Sequence, residues 1–325
     1  MPVVRPFRER VREDPFPITF EIISPRGVDV EKYIDDVASL PCLRDLAGLN
    51  ITNNPSARVR VDPAALGHLL LDRVDVDILP HITCRDDTLA GIQRWLFGAW
   101  VLGLRNVVVM TGDHPKEGDY PEEKRVDSVN AIELVAGIKR FLAKGFLIPD
   151  VVSASATRYA NRLDPPKPPK KVPPVDFFVG SPLIPWRNNE VGYAQAKRAA
   201  GTDFFQTQIT WDEKPVLDWL AKAEAQGVVG PDVPVLVGTS PLKTLRTMEF
   251  MHSSIPHVKV PADVQARLRA AKDPGWESVE VCVEMIGRLK DGIKARGIKT
   301  KVGLHVLPIN DNALGVEIVR RARAA

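Results

Sequence analysis

The sequence predicts an α/β fold, a single-domain (βα)8 TIM barrel, and three observations carry that expectation. Eight short β-prone apolar runs are spread along the 325 residues, segments of helical spacing lie between them, and each connection is long enough for a parallel crossover. The first run, Ile18–Ile23, comes after an Arg-rich stretch that lacks an apolar core, so residues 1–15 are expected to form an N-terminal arm. Leu46–Ile51 and Val76–Pro80 come next. The fourth run, Asn106–Met110, is continuously apolar through Val107-Val108-Val109, as a parallel strand buried on both faces requires. Phe177–Gly180, Asp203–Gln208, Val233–Val237 and Lys301–His305 complete the set. Helical spacing is found over Thr88–Leu102, Ser128–Leu142, Lys214–Gln226, Thr244–His252 and Ser278–Ala295.

The alternative is a doubly wound open sheet. No G-x-G-x-x-G succeeds any strand-like run, which weighs against it. Residues 16–325 are therefore read as one barrel catalytic domain, with no room for a regulatory domain after strand eight and its helix. One stretch breaks the pattern: residues 164–174 hold six prolines and three lysines and predict a stiff extended loop. It is either a solvated connector or an electropositive flap reaching toward an anionic ligand at the barrel mouth.

Composition excludes several classes of function. With 44% hydrophobic and 26% charged residues and a formal net charge of +3, the chain offers no global electrostatic case for nucleic acid or a membrane surface as its main partner. No apolar run approaches the roughly 18 residues of a membrane span. Cys42, Cys84 and Cys282 are widely spaced and odd in number, which suits reduced thiols in a cytoplasm. His81 with Cys84 lacks a second ligand pair, so no metal is expected. No Gly-x-Ser-x-Gly turn argues for covalent catalysis. Trp95, Trp100 and Trp219 fall in helical patterns and read as packing residues.

The C-terminal ends of barrel strands converge on one face. Those ends supply Glu21, Asn50 with Thr52, His81 with Thr83, Asp113 with His114, Ser181, Gln208, Gly238 and His305. Glu21 lies inside an apolar strand, where desolvation is expected to raise its pKa and leave it a proton near neutral pH for use as a general acid. The other reading is a buried carboxylate satisfied by neighbouring hydroxyls. The fourth strand ends as Thr111-Gly112-Asp113, a carboxylate beside a residue without a side chain, where a flat cofactor can lie against the backbone.

With these residues in view, the chain resembles the methylenetetrahydrofolate reductase family, in a short barrel-only form of its Thr-Gly-Asp branch. Phe20-Glu21 with Pro25 after it is similar to the family's first-strand motif, and Pro80-His81-Ile82-Thr83-Cys84 to its Pro-His-Leu-Thr-Cys. Asn106–Pro115 resembles the strand ending in Arg-Gly-Asp or Thr-Gly-Asp. Lys116-Glu117-Gly118-Asp119-Tyr120-Pro121 resembles the Lys-x-Gly-Asp-Tyr-Pro of the Thr-Gly-Asp branch. Ala200–Gln208 is similar to the Ala-Gly-Ala-Asp-Phe-x-x-Thr-Gln strand, with Asp212 trailing it. Gly238–Pro241 and Gly303–Asn310 fit the last two strands.

The resemblance implies reduction of 5,10-methylenetetrahydrofolate to 5-methyltetrahydrofolate by hydride transfer through bound FAD, with NADH or NADPH as hydride donor. It implies Glu21 as the acid that protonates N10, Asp113 as the carboxylate that stabilises the cationic iminium, and Gln208, Thr247 and Met251 as substrate-binding positions. Asn50, His81, Thr111, Gly112, Asp113 and Lys197 take positions that line the flavin. Thr111 stands where many members have Arg, and Met251 where some have a stacking aromatic. Family habit also implies a homo-oligomer, and some short relatives draw electrons from an iron–sulfur partner subunit. Two alternatives stay open on the same barrel: a flavin-free C1-pterin reductase, and a pterin methyltransferase working with a corrinoid partner. A non-catalytic subunit is a third, and it predicts that Glu21→Gln is silent.

Overall fold

A computed structural model describes residues 5–149, 168–309 and 311–324. Eight parallel strands close into a barrel in sequential order: β1 Ile18–Ile22, β2 Gly48–Ile51, β3 Asp77–Thr83, β4 Asn106–Met110, β5 Phe178–Leu183, β6 Phe204–Ile209, β7 Val235–Thr239 and β8 Val302–Val306. Closure is made by β1 on β8, with Thr19 opposite His305. Each of the eight apolar runs forms a strand, because a run that must be buried on both faces leaves little choice of register or of state.

Eleven α-helices accompany them among the described residues: α1 Phe7–Glu13, α2 Glu31–Ala38, α3 Pro63–Leu71, α4 Leu89–Val101, α5 Ala131–Arg140, α6 Glu190–Ala200, α7 Lys214–Ala225, α8 Leu245–Ser254, α9 Ala262–Ala270, α10 Pro274–Arg296 and α11 Asn312–Ala324. Their starts are written in local chemistry. Thr88 Oγ1 accepts from Gly91 N at 3.2 Å ahead of α4, and Asn130 and Glu133 form a reciprocal capping box on α5. Asp62 and Asp273 cap α3 and α10, each with a proline in the first turn.

Side-chain alternation divides the strands into two apolar environments. Outward residues such as Ile18, Phe20, Ile51, Val107, Val109, Val179, Phe205 and Val237 join the layer between sheet and helices. Inward residues Leu79, Val108, Phe178, Phe204 and Leu236 form a separate core inside the lower barrel. The described part of the N-terminal arm carries a helix. This is α1, whose Phe7 and Val11 plug the barrel floor, with Phe7 edge-on to Phe178 and Phe204 at 5.8 and 5.0 Å between ring centres. Phe7 N donates to Asp77 Oδ2 at 2.8 Å, and Asn106 Nδ2 donates to the same oxygen. Gly180 faces this core because a Cβ there would come within 2.3 Å of the Phe204 ring.

The Pro/Lys-rich stretch is described only from residue 168 onward; 164–167 lie outside the described residues. Its described end returns to the chain near α5, where Leu147 N donates to Lys170 O and Val172 N donates to Gly145 O. No helix among the described residues is long and apolar enough to cross a membrane. All three cysteines are free and buried.

Candidate active site

Above the apolar floor the barrel interior turns polar. Thr19 and Glu21 on β1, Asn50 on β2, His81 on β3, Gln206 on β6 and His305 on β8 all belong to the inward set. Asn50 and Gln206 come from strands that are not neighbours, yet they exchange hydrogen bonds of 3.0 and 3.1 Å straight across the barrel. Asn50 Nδ2 also lies 2.9 Å from His81 Nε2, and Gln206 Nε2 lies 3.3 Å from Thr19 Oγ1 and from His305 Nδ1. Thr19 Oγ1 is 2.9 Å from His305 Nδ1. Every one of these side chains is nearly removed from water, so the network stands only because its donors meet acceptors.

Glu21 sits on top of this layer with a side chain 12% exposed, its Oε2 3.5 Å from His305 Nε2 and 3.9 Å from His81 Nε2. Burial acts most strongly on Glu21 and pushes its pKa up, but the hydrogen bond from His305 and the attraction of the two rings outweigh it, and the pKa falls below the ordinary carboxylate value. This overturns the expectation that desolvation alone leaves Glu21 protonated: in the free protein it is a carboxylate. Burial pushes His81 down to about 4, so at neutral pH that ring is uncharged and holding Glu21 ionised falls to His305.

Asp113 lies on the rim rather than in the buried layer. Its Oδ2 accepts from Ser56 N at 2.6 Å, tying the end of β4 to the turn after β2, where Asn54, Ser56 and Ala57 all adopt positive φ. Gly112 has φ +89°, and a Cβ there would stand 3.0 Å from Thr83 Cβ, so this rim position suits glycine on both counts. Thr111 is exposed. His114 turns away to cap the next turn through Lys116 N. Arg85, buried beneath, pairs with Asp86 and donates to the Asp113 carbonyl at 3.2 Å.

Lys197 on α6 reaches over β5 to the Pro182 carbonyl, and burial lowers its pKa to about 8. Gln208 stands two residues above Gln206 on the same face of β6, its Nε2 3.3 Å from the Pro256 carbonyl, at the edge of the mouth. Thr247 lies in the first turn of α8, its backbone N–H donating to Thr244 Oγ1. Met251, expected at the substrate, is instead 1% exposed in the core beside Met248, because the packed face of α8 falls on residues three apart. Ser181 also leaves the mouth. β5 runs on to Leu183, so alternation turns Ser181 outward, where its hydroxyl meets Thr202 Oγ1 at 2.8 Å.

Asn50, expected as a cofactor contact, has its carboxamide engaged on both sides by Gln206 and His81 instead. Sequence reasoning selects Gln208 and misses Gln206, although both lie in one strand motif two residues apart. The signal is the alternation: if Gln208 faces the mouth, Gln206 faces the interior beneath it. Thr52 completes the inward series of β2, and its Oγ1 is buried without a hydrogen-bond partner among the described residues.

A parallel eight-stranded barrel with a buried acid and a polar layer at the C-terminal strand ends has the arrangement of a TIM-barrel enzyme. The family model described as methylenetetrahydrofolate reductase matches residues 6–323, and the chain belongs to that family. Methylenetetrahydrofolate reductase 2 of Schizosaccharomyces pombe is 24% identical over 66% of this chain and 32% of its own length. Methylenetetrahydrofolate reductase (NADH) 1 of Zea mays is 22% identical over 77% of this chain and 39% of its own length. The chain thus spans well under half the length of these curated relatives. Among solved structures, an uncharacterized protein from Clostridium thermocellum, which binds two copies of 5-methyl-5,6,7,8-tetrahydrofolic acid, superposes with TM-score 0.64 at 16% identity over 98% of both chains. That likeness shows the fold.

Proposed function

We propose that this chain reduces the methylene bridge of 5,10-methylenetetrahydrofolate to the methyl group of 5-methyltetrahydrofolate. The observation that carries the reading is Glu21, a buried carboxylate at the mouth of a barrel whose whole length matches the reductase family. The folate ligand of the Clostridium thermocellum protein supports the same class of substrate.

The reaction breaks the N10–methylene bond, which needs a proton on N10 and leaves a cationic iminium at N5. A hydride added to the methylene carbon then completes the methyl group. Glu21 is the proton donor in this reading. A flat pterin over the mouth removes the water that Glu21 still touches, and the stronger desolvation raises its pKa so that it holds the proton to be delivered. Asp113 supplies negative charge to the iminium once it exchanges Ser56 N for substrate. Gln208 and Thr247 line the rim for the pterin.

The mouth fits the polar edge of a flat flavin-type ring. Thr52 offers a buried hydroxyl without a partner among the described residues, Lys197 a half-buried ammonium, and Gly112 a backbone free of a side chain. His81, Thr111, Gly112, Asp113 and Lys197, with Thr52, are the residues that would hold FAD, which when bound relays a hydride from NADH or NADPH to the methylene carbon.

The test is anaerobic. Purified protein is given methylenetetrahydrofolate and NADH or NADPH, with and without added FAD, and 5-methyltetrahydrofolate is assayed. NAD(P)H-dependent product, abolished in Glu21→Gln, is expected. Absence of product with either donor and with chemically reduced flavin overturns the reading, and methyl transfer to a corrinoid without pyridine nucleotide replaces it by the methyltransferase alternative.

A further inference from the structure

The two imidazoles beside Glu21 lie at similar distances from its carboxylate, but the hydrogens around them make them unequal. Gln206 Nε2 is a donor only; Asn50 Oδ1 lies 3.1 Å from it, and Thr19 Oγ1 and His305 Nδ1 each lie 3.3 Å from it. The single hydrogen of Thr19 is free for His305 Nδ1 at 2.9 Å, a shorter contact than its other acceptor, the Leu304 carbonyl at 3.5 Å. Nδ1 of His305 therefore accepts, and its ring hydrogen sits on Nε2, facing Glu21 Oε2 at 3.5 Å. On the other side, Asn50 Nδ2 gives its hydrogens to Gln206 Oε1 at 3.0 Å and His81 Nε2 at 2.9 Å. The His81 nitrogen nearest Glu21 is thereby an acceptor with no hydrogen to offer.

We infer that His305 is the positioning residue of the Glu21 acid: Thr19 and Gln206 hold its Nδ1 as an acceptor so that Nε2–H grips one oxygen of the Glu21 carboxylate. The inference rests on the reading of Glu21 as the proton donor. It adds that the direction of this grip is dictated from below, by two carboxamides and a hydroxyl in the buried layer. The titratable groups facing His305 are Glu21 from β1 and His81 from β3. The other strands around it bring Asn50, Gln206 and, in register on β7, Gly238.

The consequence is a Glu21 whose orientation and proton affinity both depend on one ring. Without the Nε2 donor, the ionised form loses its hydrogen bond and the pKa rises. His305→Leu removes the donor, and His305→Gln keeps an N–H near the position of Nε2. Thr19→Val removes one of the two groups on Nδ1 and leaves Gln206 Nε2 at 3.3 Å. The first readout does not depend on turnover: infrared titration of the buried carboxylate, identified as the band missing in Glu21→Gln. His305→Leu is expected to move its midpoint up by about one pH unit or more, Thr19→Val by less, and His305→Gln to restore most of the wild-type value. The second readout is the pH profile of methylene reduction. For His305→Leu, kcat is expected to fall about 10-fold, with KM within about 2-fold and the high-pH limb displaced upward, and His305→Gln is expected to recover it.

A midpoint in His305→Leu equal to wild type, in a variant whose near-ultraviolet circular dichroism shows it folded, overturns the inference. So does a His305→Gln variant indistinguishable from His305→Leu. If His305→Leu does not fold, His305→Asn, whose carboxamide is too short to reach Glu21 Oε2, decides: an unshifted Glu21 band there overturns the inference equally. A wild-type protein inert toward methylenetetrahydrofolate defeats the proposed reaction, while the infrared titration still judges the grip of His305 on Glu21.

Discussion

The lower and upper halves of the barrel interior are built from the same strands with the same alternation, yet they solve opposite problems. In the lower half, Phe7, Leu79, Val108, Phe178, Phe204 and Leu236 fill the space and a helix seals it. In the upper half, Thr19, Asn50, Gln206 and His305 keep a polar interior from collapsing by satisfying one another, and they leave Glu21 with a single oriented donor. The lower half derives its strength from apolar area and shape, whereas the upper half derives its specificity from the direction of hydrogens. Of the two buried rings beside Glu21, His81 has been pushed down to about 4 by burial, so at neutral pH it is an uncharged part of this base.

The division can be broken most directly at Glu21. Glu21→Gln is expected to lower kcat about 10³-fold while leaving the melting temperature within a few degrees, since the carboxamide fits the same volume. A comparable loss of stability would move Glu21 into the structural half. The reverse experiment is Phe7→Ala, expected to cost about 3 kcal/mol or more in urea unfolding because it empties the plug, with unchanged kcat in the folded fraction. A loss of turnover of about 10-fold in folded Phe7→Ala protein would show that the floor and the site are one unit.

Acid titration of stability sharpens the same contrast. His81 takes up its proton at about pH 4 when folded and near 6.5 when unfolded, so the unfolded chain binds more protons between those values and stability falls as pH drops from 6.5 to 4. The separation corresponds to about 3 kcal/mol. Glu21 acts in the same direction: its lowered pKa contributes stability that is present above the unfolded carboxylate value and lost as pH falls through the folded one. Urea melts across this range are expected to show the slope, and His81→Gln to flatten its upper part. An unchanged slope in that variant would remove His81 from the account.

The smallest expected effect is at Thr52. Thr52→Val exchanges a buried hydroxyl without a partner for a methyl group, so stability is expected to stay within about 0.5 kcal/mol or rise. Affinity for FAD or 5-methyltetrahydrofolate, read by fluorescence quenching, is expected to weaken about 5-fold. Unaltered affinity for both would show that the hydroxyl serves neither ligand.

Much of this architecture is legible in the chain. Strands such as Asn106–Met110 can be read because burial on both faces demands an unbroken apolar run, and the strand ends then name Glu21, His81, Asp113 and His305 as one face. Helix α1 is not legible: five of its seven residues are arginine or glutamate and look solvated, and only the aromatic floor of Phe178 and Phe204 gives Phe7 a place to bury. Met251 and Ser181 escape a sequence reading for a related reason. Each sits near the right strand or helix end, but which way it turns depends on the phase of α8 and on where β5 stops.

The sequence by itself determined the period of the elements, their order and the residue types available at each strand end, because alternation and apolar run length are local properties. Only the tertiary structure decided what those residues do to one another. Glu21 illustrates the limit. Its apolar strand neighbours predict a raised pKa, and the two imidazoles that lower it arrive from β3 and β8, 60 and 284 residues further along the chain. Desolvation can be read from composition, but the direction of a hydrogen bond is a matter of geometry, and geometry exists only after the barrel closes.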